Sequence, residues 1–582
     1  KRENYPQPSP FNNRFPHFHL ISQVASICSL GKKYRLIMMD STPLYEESPD
    51  EQVTATTPLD IEPFEEKPQP VHSNANQDSE NNYVANENGV DDDDSLLATT
   101  PWKPSGNFWK DAWFFVGPGW LVSIAYIDPG NYQADIQAGA TSRYTLLFAV
   151  WWSSLLSIYV QILCVRLAYY AQLTLAETQA RDAKKDIYRY ISWGIAEFSA
   201  MITDLPEVIG FGIACHYFFG WPYYIGVLLS LITTMVFLAS LRYGIQALES
   251  IILFFVGIMS IALWMEMGVV GPDMGELMKG WAIGFVDVTS QDLFRIAGIL
   301  GAVVMPHNLY LHTAAIQSRR VQREEVVVRK AVKYCSWEPV LPILVSFFVN
   351  MAVVAIAAER VYGTTNAEEV GLTDFCTYFQ SLKGGCLLWG IALLAAGQSS
   401  AITTTFTGQY VMDGFLKIRL PFEVRALMTR LMAIVPCVVV SLLFPDGLNE
   451  MVNMVNASLS LFLPFAFCPL VKYNCSERIM GKFASRGVEK TVLYSFAMVV
   501  WLINSVALSA PGGGFFGDFV PQMEWSVKKG FWIVLQIVIQ GFYAWWNLGT
   551  LFSSVGFVPR PLEEERPPDE QFAKVSTCTF ID

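Results

Sequence analysis

Two stretches decide the fold: Ile124-Ala125-Tyr126-Ile127-Asp128-Pro129-Gly130-Asn131 and Ala302-Val303-Val304-Met305-Pro306-His307-Asn308. Each sits inside an apolar run long enough to cross a bilayer, which takes about 20 residues as a helix. Proline removes a backbone donor and glycine tolerates unusual dihedrals, so both helices are expected to break in mid-membrane. The breaks free carbonyls one turn earlier, at Ala125 and Ala302. Non-helical backbone at that depth survives only inside protein or beside a watery cavity. Ordinary proline kinks would not explain why each break also carries an ionisable residue, Asp128 and His307, which is costly in a membrane.

Outward from these breaks, the sequence holds twelve apolar segments of spanning length. They lie near 112–141, 146–174, 190–217, 222–241, 248–270, 292–317, 338–358, 386–413, 425–444, 452–473, 490–510 and 527–553. The breaks fall in the first and sixth. Two broken helices five spans apart predict an inverted repeat of spans 1–5 and 6–10, with a site between the breaks. The composition agrees with an all-α polytopic membrane protein. The chain has 582 residues, 52% of them hydrophobic, and its mean hydropathy is +0.31. Only 16% are charged, against about 25% in an ordinary soluble domain. That excludes a disordered or collagen-like chain and argues against a soluble multidomain enzyme.

The net charge of −13 is uneven: residues 40–100 hold sixteen Asp or Glu and one Lys, which leaves the rest slightly basic. Nothing in that balance suggests a nucleic-acid partner. Residues 1–105 read as a disordered acidic N-terminal region, too poor in apolar residues to offset its ordering entropy. Residues 106–555 read as the membrane domain and 556–582 as a tail. Met39 opens a plausible start, so residues 1–38 are read as upstream sequence, native or not. Asp92-Asp93-Asp94-Ser95-Leu96-Leu97 fits an acidic dileucine sorting signal, with a sorting adaptor as partner; a plain charge run is the other reading. The loops after even-numbered spans carry nineteen Lys and Arg, and the opposite loops seven. Lys and Arg resist translocation, so both termini are expected in the cytoplasm. Plasma membrane and endosomal or vacuolar membrane both fit. The ten cysteines show no metal spacing. Cys376 and Cys386 are placed to pair outside the membrane, but unpaired thiols are the expectation.

The chemistry at the breaks suits a metal ion. Asp128 offers a hard anionic oxygen, Asn131 an amide oxygen and Met305 a soft thioether, beside the carbonyls of Ala125 and Ala302. Oxygen ligands suit many divalent ions, whereas sulfur favours transition metals over Ca²⁺ and Mg²⁺. His307 is a ligand or a proton carrier. In span 3, Asp204 and Glu207 share one helix face. Arg430 is the first choice of a cation to offset them, and Arg425 the second. With His307 and His312 they make a proton relay toward the cytoplasm, or else a salt bridge holding spans 3 and 9 together.

At these residues the sequence resembles the NRAMP family of proton-coupled divalent metal transporters. DPGN at 128–131 and MPHNLYLH at 305–312 are that family's signatures. The resemblance runs from about 110 to 485. It includes Asp204-Leu205-Pro206-Glu207, Gly397-Gln398-Ser399-Ser400, Thr429-Arg430 and Leu463-Pro464-Phe465-Ala466. It implies a LeuT-type fold and symport of Mn²⁺ or Fe²⁺ with H⁺. It also implies Asp128, Asn131, Met305 and the Ala125 carbonyl as metal ligands. Many members carry a Gln early in span 10 that contacts the ion; here the residue is Asn456, one methylene shorter. A second Gln, before LPFA, is Phe462 here. No phosphate-binding GxxxxGK[ST] occurs, so ATP is not the drive, and neither an enzyme nor a cofactor is expected. The alternatives are a metal sensor that has lost transport and an organic-ion symporter of the same fold. The second would not need the thioether, and relatives selective for Mg²⁺ or Al³⁺ lose it.

Overall fold

The computed structural model describes residues 102–115, 126–240, 245–317, 319–379, 384–509, 520, 527–559 and 562. The acidic run, Met39, Leu96-Leu97 and Ala125 lie outside the described residues. So does nearly all of the expected tail.

Every regular element among the described residues is helical. α1 covers Phe108–Phe115 and α2 Pro129–Ser142. α3 is Leu147–Arg166 and the short α4 Leu175–Asp182. α5 is Asp186–Phe219, α6 Tyr223–Ser240, α7 Ile245–Val270 and α8 Met274–Ile283. α9, Asp292–Val303, and α10, Pro306–Gln317, are the halves of one broken span. α11 is Glu325–Trp337, α12 Val340–Arg360, α13 Gly385–Leu416 and α14 Phe422–Leu443. α15 is Leu448–Asn474, α16 Gly487–Ala507 and α17 Val527–Phe552.

Among the described residues, nine helical stretches are long and apolar enough to cross a membrane, and Tyr223–Val236 and Gly257–Val270 are shorter apolar ones. These eleven coincide with the second to twelfth segments expected from the sequence. The first segment ends in α2, but residues 116–125 lie outside the description.

The start of α2 and the break between α9 and α10 form where the prolines dictate. Pro129 opens α2 at a position whose N–H has no helical partner to lose. Asp128 precedes it in extended conformation and caps the helix, its carboxylate accepting the Asn131 N–H. α9 stops at Val303 and α10 starts at Pro306, leaving Val304 and Met305 between them.

Packing then brings the two breaks together. α9 runs along α15, α12 along α2, and α5 along α13. Gly301 lets α9 approach α15: an added side-chain carbon there would collide with the Asn456 carbonyl and the Ser460 N–H. The packed body reaches back to Trp102, which is buried against Phe115 and Tyr334 and donates its N–H to the Arg320 carbonyl. One cysteine expectation is corrected. Cys376 and Cys386 form a disulfide, because the loop before α13 folds back onto that helix.

Candidate metal site

Asp128 and Asn131 form a closed unit at the start of α2. Asp128 Oδ1 accepts the Asn131 backbone N–H at 2.6 Å and its Nδ2 at 2.9 Å. Asn131 Nδ2 also donates to the Ala302 carbonyl at 3.0 Å. That carbonyl is free for a covalent reason: its helical partner would be the N–H of residue 306, a proline. With Nδ2 committed twice, Asn131 Oδ1 remains, buried and without a hydrogen-bond partner. A buried unpaired oxygen is costly unless something cationic or protic meets it. Met305 lies in the second break and is 2% exposed.

Asn456 completes the arrangement from α15. Its Nδ2 donates to the Gly130 carbonyl at 2.8 Å, and its Oδ1 is buried and unpartnered. A side-chain carbon on Gly130 would lie 2.9 Å from Asn456 Oδ1 and 3.4 Å from Asp128 Oδ1. Gly130 is therefore small because two oxygens face the same space. Among the described residues no three His, Cys, Asp or Glu gather as a metal cluster. The donors at the breaks are mixed: one carboxylate, amide oxygens and a thioether. Such a set can hold a partly dehydrated divalent cation. Ala302 enters it by steering Asn131, whereas Ala125 lies outside the described residues.

The ionisable residues of α5 adjoin this unit. Thr203 Oγ1 donates to the Ser199 carbonyl at 2.8 Å and stands 3.2 Å from His307 Nδ1. Since the hydroxyl proton is used, the imidazole must donate from Nδ1. His307 Nε2 is then an open acceptor, buried with no partner. Asp204 Oδ1 meets Arg430 at 3.1 Å and Thr404 Oγ1 at 3.1 Å. Glu207 accepts from Ser400 Oγ. Arg425, in contrast, pairs with Glu197 and not with Asp204 or Glu207. Glu197 lies two turns before Asp204 on the same helix, so the two arginines each neutralise one carboxylate of α5. His312 is fully buried, and neither of its nitrogens has a hydrogen-bond partner; the structure does not join it to the others.

Sequence reasoning missed Glu197, Thr203, Thr404 and the buried Asp135 of α2, and named Ser400 only within Gly397-Gln398-Ser399-Ser400, without its bond to Glu207. Glu197 and Asp135 were findable as acids inside spans. The hydroxyl residues were not, since buried Ser and Thr are common in membrane helices.

Among the described residues, the fold defines a multi-pass, all-helical integral membrane protein in which Val304 and Met305 interrupt one span and α2 starts at Pro129 behind an extended Asp128. The chain belongs to the Nramp family: the family described as natural resistance-associated macrophage protein-like matches residues 119–510. Metal transporter Nramp2 of Populus trichocarpa is 36% identical over 414 residues, covering 69% of this chain and 76% of the relative. Metal transporter Nramp3.2 of the same species is 34% identical over 500 residues, covering 81% and 97%. Metal transporter nramp1 homolog of Dictyostelium discoideum is 37% identical over 402 residues, covering 68% and 74%. Among solved structures, a mutant of the Eremococcus coleocola manganese transporter superposes with a TM-score of 0.69. It shares 27% identity and covers 79% of this chain and 98% of that one.

Proposed function

We propose that the chain is a secondary transporter that carries divalent transition-metal ions, chiefly Mn²⁺ and Fe²⁺, in symport with protons. The relatives named as metal transporters support the substrate class. The observation that carries the reading is the Asn131 side chain. Its amide nitrogen is pinned between Asp128 and the Ala302 carbonyl, so its bare oxygen is presented beside the carboxylate.

In this reading Asp128 supplies the charge, Asn131 Oδ1 and the Ala125 carbonyl supply neutral oxygens, and Met305 supplies the sulfur that disfavours Ca²⁺ and Mg²⁺. Asn456 Oδ1 meets the ion from α15 when the site is occluded. The open Nε2 of His307 accepts a proton next to the site. Asp204 and Glu207, balanced by Arg430, pass it along α5, and the Arg425–Glu197 pair lies further along the same helix. The Lys and Arg bias of the loops supports cytoplasmic termini. An acidic dileucine signal at Leu96-Leu97 suits traffic between the plasma membrane and endosomal or vacuolar membranes.

The test is uptake into proteoliposomes under an imposed pH gradient, over Mn²⁺, Fe²⁺, Cd²⁺, Ca²⁺ and Mg²⁺. Uptake of Mn²⁺ and Fe²⁺ that rises with an inward proton gradient is expected. Binding without uptake would mark a sensor instead.

A further inference from the structure

The segment ahead of α1 turns back and ties that helix to the end of α10. Trp102 donates its N–H to the Arg320 carbonyl at 3.0 Å and pairs with Val321 in an isolated parallel bridge. Arg320 and Val321 follow the end of α10, the helix that opens at Pro306. The buried indole of Trp102 lies edge-on to Phe115, the last residue of α1, with ring centres 4.8 Å apart, and 6.2 Å from Tyr334 of α11. From Phe115 the sequence runs on through apolar residues to Asp128. Residues 102–107 are thus a strap between the arms of the two sequence breaks.

The strap has polar bonds of its own. The Asp111 carboxylate, buried on the inner face of α1, accepts the Ser105 N–H at 2.9 Å, and Asn107 Oδ1 accepts the Trp109 N–H at 3.0 Å. Gly106 makes the turn between them with a φ of 79°, a region that glycine enters without strain. On the opposite face of α1, Trp109 and Trp113 are exposed one turn apart, which suits the lipid–water interface. Trp102, Phe115, Tyr169, Ile316 and Cys335 belong to a hydrophobic cluster apart from the two larger ones of the bundle. Elements held by fewer buried apolar contacts open at lower free energy than the core.

We propose that residues 102–107 are a latch across the cytoplasmic ends of the two interrupted spans, and that Trp102 leaves its place when an ion is released inward. Asp128, Asn131 and Met305 are all buried, so an ion held there leaves only when packed elements part. The inward path runs between the arms that the strap bridges. Parting them breaks the bond from Trp102 to Arg320 and draws the indole away from Phe115 or Tyr334. Arg319, Arg320 and Arg323 of the α10–α11 linker put this end in the cytoplasm, so the proposal rests on the transporter reading and its orientation.

The test uses the full chain with Lys103→Cys and Gln322→Cys, the next pair along the bridge, which leaves Trp102 intact. Cys28 and Cys578 are replaced by serine. Closing the pair with a short bis-maleimide should lower the initial rate of Mn²⁺ uptake by about tenfold or more, which is ~1.4 kcal/mol of barrier. A mono-maleimide on the same variant should leave the rate unchanged. Protein shown by mass to be cross-linked, yet transporting like the mono-maleimide sample, overturns the latch. A second arm needs no transport. Cys335 is buried beneath the strap, 3.6 Å from the Tyr169 hydroxyl, and serves as a native reporter of opening. Its labelling by a small thiol reagent, read from its own peptide by mass, should be about tenfold slower in the cross-linked protein than in the mono-maleimide sample. Equal rates overturn the latch. If the wild-type protein takes up no metal, the transporter reading fails instead, and the labelling arm still decides whether the strap opens.

Discussion

Asn131 Nδ2 lies 3.0 Å from the carbonyl oxygen of Ala302, so a side chain from one helix break satisfies the backbone exposed by the other. Two prolines thus create one structure. Pro129 sets the start of α2, where Asp128 caps Asn131, and Pro306 strips Ala302 of its helical partner. The metal site of our proposal is held rigid before any ion arrives, because the ligand amide is already oriented.

Gly130→Ala probes the crowding between Asp128 and Asn456. The added methyl carbon would sit 2.9 Å from Asn456 Oδ1, closer than packed atoms tolerate. Asn456 must retreat and loses its bond to the Gly130 carbonyl. We expect a folded protein with Mn²⁺ affinity down by about tenfold, ~1.4 kcal/mol, read from concentration-dependent uptake. Unchanged affinity would remove Asn456 from the site.

Arg430→Gln would leave the Asp204 carboxylate buried without its cation. Breaking a buried pair costs about 3–5 kcal/mol. The expected result is a marked fall in thermal stability in detergent. Much of it should return in the double variant with Asp204→Asn, where no charge remains to compensate. A proton relay adds a second expectation: that rescued double variant is stable yet carries metal with weakened dependence on the pH gradient.

Met305→Ala tests the sulfur. The variant keeps the charge of Asp128 and the Asn131 oxygen and makes room for a water ligand. An oxygen-only site suits Ca²⁺ and Mg²⁺ better. Because specificity is a difference of affinities, a small loss for one ion can read as a large gain for another. Cd²⁺ affinity should fall most and Mn²⁺ less, while Ca²⁺ becomes a competitor. Competition curves that match the wild type would make Met305 a packing residue.

What could be read from the sequence was what proline and charge announce locally. Pro129 and Pro306 mark the breaks, and acids inside apolar spans mark Asp128, Asp204 and Glu207. The pairing of Arg430 with Asp204 followed from charge balance. Partner choice over long range did not. Arg425 meets Glu197 because of how α14 lies on α5, and no spacing rule states that. Asn456 faces Asp128 only because Gly301 and Gly130 allow close approach. The Cys376–Cys386 bond needed the loop's return path, which ten residues of separation leave open. Thr203 gains its role solely from its position beside His307.

The central claim is that Asp128 supplies the negative charge that binds the transported ion. Asp128→Asn keeps the size of the side chain and an oxygen able to accept the Asn131 N–H, so α2 should still be capped and the fold retained. The direct measurement is initial Mn²⁺ uptake by proteoliposomes under an inward proton gradient, wild type beside variant, with equal amounts of monodisperse protein. Our account predicts near-complete loss of uptake in the variant. Uptake at the wild-type rate would contradict it.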